Sequence, residues 1–279
     1  MTARTTSRTT PNLLALDLDG TVISVDLQVD PRDVSALRRA QEAGIHVVTC
    51  TGRPFPGALI WVRHLGLEGP FVCYQGAQVR TPEGEMVLDH GVEHDVAMEV
   101  VRFCDERDLH VQAYRDDQLI MERDRPEAQQ YAHHAGMEVH VVGDLDRAMG
   151  PTTPKLVVVA EKDVVDRLLP EVRERWQGRL YAATSMPTYL ELTSPRADKR
   201  QALAFLCDRL GVDVSTTAAV GDGRNDQPML EWAALGVAIE GAPPEVVAAA
   251  AGRTVGPPGT GGIVDLVDHL LGTAPAAWA

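Results

Sequence analysis

Two aspartates, Asp17 and Asp19, stand two residues apart where the apolar run Leu13-Leu14-Ala15-Leu16 gives way to Gly20-Thr21. The run predicts a buried strand, and Gly20 permits the sharp backbone turn that ends it. Residues i and i+2 of a strand point to one face, so both carboxylates can serve one site. Like charges that close repel unless a cation or a proton sits between them. Such a pair at a strand end predicts a metal ion and a nucleophile.

Three further polar clusters fall in comparable places. Thr51-Gly52-Arg53 follows the apolar stretch Ile45-His46-Val47-Val48, and Asp222, Asn225 and Asp226 follow Thr217-Ala218-Ala219-Val220. Lys199 opens an amphipathic helix predicted from Asp198 to Leu210, with Gly211 after it. In an open parallel α/β sheet, ligands bind beyond the carboxyl ends of the strands, so these clusters are expected to converge. Several carboxylates around one site favour a hard cation with oxygen ligands, hence Mg²⁺ rather than zinc. A lysine at a helix start opposes the helix dipole, at a cost on the order of 0.3–1 kcal/mol, and a bound anion beside it removes the conflict.

Together these groups suit phosphoryl transfer. Mg²⁺ and Lys199 would neutralise the transferring group while Thr51 and nearby backbone N–H groups hold its oxygens. One aspartate could attack phosphorus and the other move the proton, if their surroundings separate their pKa values. Two other polar features carry less. His133-His134 lacks the spacing of a zinc helix, and Gly259-Thr260-Gly261-Gly262 lacks the lysine of a phosphate loop.

The elements that must position these residues alternate in type. Asp30-Pro31 predicts a helix start, and Gly44 its stop. Phe71-Val72-Cys73-Tyr74 predicts a third strand ending at Gln75-Gly76, and strand–helix–strand with short links is the grammar of a parallel sheet. The same grammar returns from residue 198 onward, with a strand at Leu235 to Ile239 and a closing helix at Ile263 to Leu271. Between the halves, residues 83–187 mix alternating strand patterns with helices and predict an inserted α+β domain. Its expected hinges are Thr81-Pro82-Glu83-Gly84 and Met186-Pro187. The core is then 11–82 and 188–279, with residues 1–10 a disordered tail and a frayed end from Gly272.

Composition narrows the partners. With 26 basic and 40 acidic side chains, the net charge of −14 argues against a nucleic-acid backbone. No apolar run reaches the length of a membrane span, and no membrane partner is expected. Cys50, Cys73, Cys104 and Cys207 lack CxxC spacing, so a reducing cytoplasm is expected, without a disulfide or zinc framework.

These motifs resemble those of the haloacid dehalogenase superfamily of phosphatases, in particular the Cof-type branch with a large α/β cap. Asp17-Leu18-Asp19-Gly20-Thr21 resembles its first motif, Thr51-Gly52-Arg53-Pro54 its second, Lys199 its third, and Gly221-Asp222-Gly223-Arg224-Asn225-Asp226 its fourth. The resemblance implies a Rossmann-like parallel core with helices on both faces and residues 83–187 as the cap. It implies Asp17 as nucleophile and Asp19 as general acid/base. Mg²⁺ would be held by Asp17, the Asp19 carbonyl and Asp222, with Asp226 supporting its water shell. Thr51, Lys199 and Asn225 would contact phosphate. Gly52 is expected beside them, and Arg53 either lines the pocket to meet substrate or caps the adjacent loop. Two positions depart from the pattern: Gln75-Gly76-Ala77 replaces Asn-Gly-Ala, and Ile239-Glu240-Gly241-Ala242 replaces Met-x-Asn-Ala. The implied activity is hydrolysis of a small phosphorylated metabolite, with a phosphomutase or a non-catalytic metabolite-binding regulator as alternatives.

Overall fold

The computed structural model describes residues 11–135 and 137–274, apart from the side chains of Gln130, His134, Ala135 and Ser185. The expected tail at 1–10 and Trp278 lie outside this range. Leu13–Leu16 is the fourth strand of a five-stranded parallel sheet, ordered 254–255, 235–239, 217–221, 13–16, 46–49. An isolated parallel bridge from Cys50 to Val72 carries the sheet toward Phe71–Cys73. All four residues of the 13–16 strand are buried. They divide by the two-residue period of a strand. Leu14 and Leu16 pack with Ala36, Leu37 and Leu266 on one face, while Leu13 and Ala15 pack with Leu203 and Leu206 on the other. Helices therefore cover both faces.

The helix boundaries follow their caps. The Asp30 carboxylate accepts the Arg32 N–H at 2.8 Å and Pro31 fills the first position of helix Pro31–Glu42. The Asp198 carboxylate accepts the Gln201 N–H at 2.8 Å, so the next helix runs Lys199–Leu210 and ends on Gly211 at φ +68°.

Residues 110–193 build a six-stranded sheet ordered 181–186, 189–193, 156–159, 110–115, 118–121, 139–141. Every pairing is antiparallel except the last. Helices His94–Asp105 and Lys162–Arg175 bury Val101, Cys104, Val165 and Leu168 against Val111, Val158 and Leu190 on one face. The other face carries a buried ion pair, Lys155 to Glu191 at 3.0 Å, and an aromatic group. Tyr114 donates or accepts across 2.6 Å to Tyr131, and Tyr131 packs edge-on against Tyr189. This face meets the parallel-sheet part through Tyr74 on Tyr114 (5.3 Å between centroids) and through Arg80 paired with Asp117 at 3.1 Å.

The two segments expected as hinges are turns of β-hairpins. Thr81 to Glu85 closes the pair Gln78–Arg80 and Met86–Asp89, whose sheet also contains Phe71–Cys73. Met186-Pro187 lies at the turn between Tyr181–Met186 and Tyr189–Thr193. Pro and Gly mark tight turns and linkers alike, and strand pairing decides between them.

One buried carboxylate weakens the core. Asp33, 1% exposed in the first turn of helix Pro31–Glu42, faces the start of helix Gly262–Leu270 with neither oxygen hydrogen-bonded in ordinary geometry. Burial, helped by the nearby Asp30 charge, pushes its pKa up to about 6. A raised carboxyl pKa means the fold favours the protonated form. Its contribution is fullest below about pH 4 and is lost as pH rises through about 6, by roughly 2 kcal/mol. Asp33→Asn is therefore expected to raise Tm by roughly 4–6 °C at pH 7.5 and by little at pH 4, read by calorimetry at both.

Candidate active site

Strand pairing places the two acidic loops side by side. Leu16 is in register with Val220, and the Asp17 N–H donates to the Val220 carbonyl at 3.0 Å, so Asp17 and Asp222 leave adjacent strands together. Helix Lys199–Leu210 points its first residue into the gap. The Lys199 ammonium, 1% exposed, donates to Asp17 Oδ1 at 2.5 Å and to Asp226 Oδ1 at 2.6 Å. The dipole conflict expected of a lysine at a helix start is met here by two carboxylates.

Asp226 also organises its own loop. Its Oδ2 accepts the backbone N–H groups of Asp222 at 3.1 Å and Gly223 at 2.8 Å. A Cβ at residue 221 would lie 2.5 Å from Asp226 Cγ, so only glycine fits there. Gly20, at φ +82°, approaches so closely that a Cβ would lie 2.4 Å from Asp222 Oδ2. Thr21 donates its hydroxyl to Asp222 Oδ1 at 3.1 Å. The DxDGT turn and the fourth motif thus lock together through glycine and threonine.

Carboxylate oxygens of Asp17, Asp222 and Asp226 all lie within 4.8 Å of one another. Burial pushes the Asp17 carboxyl well above its ordinary value, opposed by the Lys199 ammonium and reinforced by Asp226. Burial and Asp226 also raise Asp222. Three carboxylates and one ammonium sum to −2 when ionised, which is the charge that one divalent cation balances. All the anionic donors are oxygen, so the set fits Mg²⁺.

The remaining predicted residues surround this centre. Asp19 is not part of the carboxylate triad. Its half-exposed carboxylate takes a bidentate pair of hydrogen bonds from Arg53, at 2.8 and 2.6 Å. Thr51 is buried, and its hydroxyl accepts the Arg53 N–H at 3.1 Å, folding the 51–53 turn. Asn225 donates its amide to Gln75 Oε1 at 3.0 Å, and the Gln75 side chain rests on Gly52. Sequence reasoning passed over Gln75 and Thr21 as site residues. The departure at Gln75 was visible as a pattern mismatch, but its contact with Asn225, 150 positions away, was not.

A parallel α/β sheet whose strand ends carry a lysine-bridged carboxylate centre defines a Rossmann-like α/β protein with a candidate metal centre. The chain belongs to the haloacid dehalogenase-like hydrolases, whose family profile matches residues 14–265. It is 26% identical over 234 residues to the HMP-PP phosphatase of Serratia proteamaculans, covering 84% of this chain and 85% of that one. Among solved structures, TM0651 from Thermotoga maritima superposes with a TM-score of 0.85 at 28% identity, covering 93% of this chain and 97% of that one. A haloacid dehalogenase-like hydrolase from Bacteroides thetaiotaomicron gives 0.85 at 25% identity, covering 93% and 99%.

Proposed function

We propose that this chain is a Mg²⁺-dependent phosphatase that hydrolyses a small phosphorylated metabolite through an aspartyl-phosphate on Asp17. The observation that carries the reading is the buried Lys199 ammonium bridging Asp17 and Asp226 beside Asp222. Asp17, Asp222 and Asp226, with the Asp19 carbonyl, would hold Mg²⁺, which supplies electrostatic stabilisation to the transferring phosphoryl. An Asp17 oxygen attacks phosphorus as the bond to the leaving oxygen breaks, and Asp19 gives that oxygen its proton. Asp19 then takes a proton from the water that cleaves the acyl phosphate, returning Asp17. Lys199 offsets phosphoryl charge, while Thr51, Gly52 and Asn225 bind its oxygens. Arg53 orients Asp19 and, on release, reaches the substrate.

The cap reading is likewise ours. His90 Nδ1 lies 3.1 Å from the Arg196 carbonyl, so the two crossing segments run together, and we place the cap between them rather than at 83–187. Closing over the site, it would exclude water and select the substrate. The Serratia relative's named substrate supports a small phosphorylated compound. Four buried, free cysteines suit a reducing cytoplasm, and no described helix is long and apolar enough to cross a membrane.

A panel of sugar phosphates, polyol phosphates, flavin mononucleotide and pyridoxal phosphate tests the reading by phosphate release. Turnover of at least one compound with Mg²⁺ is expected, falling to background in EDTA and returning on Mg²⁺ addition. Isomer formation without free phosphate would establish a mutase instead, and tight binding without turnover a regulator.

A further inference from the structure

The Tyr74-Gln75-Gly76 turn lies outside the four motifs yet touches the second and the fourth and abuts Asp198, beside the third. Tyr74 N–H donates to the Arg53 carbonyl at 2.9 Å and Gln75 N–H to the Thr51 carbonyl at 3.0 Å, stitching it to the 51–53 turn. Gly76 abuts the Asp198 backbone beside Lys199, where a Cβ would lie 2.3 Å from the Asp198 carbonyl. The Gln75 side chain completes the set. Its Oε1 accepts from Asn225 Nδ2 at 3.0 Å, while a Cβ on residue 52 would lie 2.3 Å from its Nε2.

This placement is held against backbone preference. Tyr74, Gln75 and Gly76 have φ of +51°, +61° and +101° in succession, and the first two are not glycine. Left-handed backbone is unfavourable for a non-glycine residue and persists where surrounding contacts over-determine it, often at functional sites. Glycine at residue 75 would remove that strain, yet glutamine stands there with its amide on Asn225. Gly223 leaves room for the Asn225 side chain on the other side, since a Cβ at residue 223 would lie 2.3 Å from its Oδ1.

We propose that Gln75 is a positioning residue of the phosphate pocket, fixing the Asn225 amide so that its second N–H is aimed at a phosphoryl oxygen. The proposal rests on the phosphatase reading for the role of Asn225, but its effect is on phosphate binding. The left-handed turn serves to bring this amide over Gly52, between the second and fourth motifs. Acting through Asn225, Gln75 has nothing to contribute once that amide is gone.

Equilibrium titration of the full-length protein with inorganic phosphate in Mg²⁺ tests this on Gln75→Ala, Asn225→Ala and the double variant. Gln75→Ala is expected to weaken phosphate binding by about tenfold, the scale of one lost hydrogen bond to a binding group. On the Asn225→Ala background the same substitution should change it by less than about twofold. Equal losses on both backgrounds, or no loss on the wild type, would overturn the proposal. Gln75→Gly separates positioning from folding. With no penalty at positive φ, it should keep or raise Tm while losing phosphate affinity as Gln75→Ala does. Wild-type phosphate affinity in Gln75→Gly would overturn the proposal. Phosphate binding with an intact cycle but no turnover of any substrate removes only the phosphatase reading. A wild-type protein that binds no phosphate removes both.

Discussion

Asp17→Asn is expected to lower kcat by at least about 10⁴-fold on whichever phosphomonoester proves best, because the amide oxygen is a poor nucleophile toward phosphorus. Loss of activity alone would not separate a nucleophile from a structural residue, and stability does. In the metal-free protein Asp17 is one of three carboxylates sharing one ammonium, and its burial already pushes its pKa well up. The substitution removes one uncompensated negative charge, while the new amide oxygen still accepts from Lys199, which retains Asp226 as counter-ion at 2.6 Å. With EDTA present the variant should therefore match or exceed the wild type, by about 1 kcal/mol or roughly 2–4 °C in Tm. With Mg²⁺ the order should reverse, because the variant offers the cation one carboxylate fewer and gains less from binding it. Activity lost together with stability in both conditions would mark Asp17 as a packing residue. Retained turnover would end the assignment of Asp17 as the nucleophile.

How much of this centre could be read from the chain depends on the range of the interaction. Local signals carried the parallel sheet. Leu13–Leu16 is apolar throughout because both faces are covered, Asp30-Pro31 and Gly211 bound their helices where expected, and the four polar clusters converge because strand ends do. Pairing across long separations was not legible. Nothing near Lys199 in sequence announces that its partners are Asp17, 182 positions away, and Asp226, rather than an anion alone. Nothing near Asp19 announces that Arg53 holds it outside the carboxylate triad. The hairpin turns at residues 81–84 and 186–187 read as hinges for the same reason. Their turn residues are local, whereas the strand partners that make them hairpins are fixed by the sheet. Gln75 is the sharpest case. Its side chain type is ordinary, and only the left-handed backbone beneath it directs the amide onto Asn225.

Lys199→Met isolates the charge at the middle of the site, since methionine roughly keeps the length and apolar stem and removes only the ammonium. Asp17 and Asp226 are then left buried, 4% and 0% exposed, without the cation that bridges them. Breaking a buried pair by deleting one partner typically costs 3–5 kcal/mol, so Tm in EDTA should fall by roughly 8–15 °C. The deficit should depend on both metal and proton. Mg²⁺ supplies positive charge to the same carboxylates and should recover part of the loss. For the proton, the sign follows from Asp17. Its folded-state pKa is raised, so its stabilising contribution is present at low pH and lost as pH rises through that value. Removing Lys199 takes away the group that opposes this rise, so the Tm deficit should be larger at pH 8 than at pH 5. Activity should fall by about 10²–10⁴-fold even with Mg²⁺, because transition-state charge on the phosphoryl loses one of its two cationic partners. A variant with wild-type Tm in EDTA at pH 8 would show that Lys199 does not balance these carboxylates. The bridge on which the catalytic reading rests would then have to be abandoned.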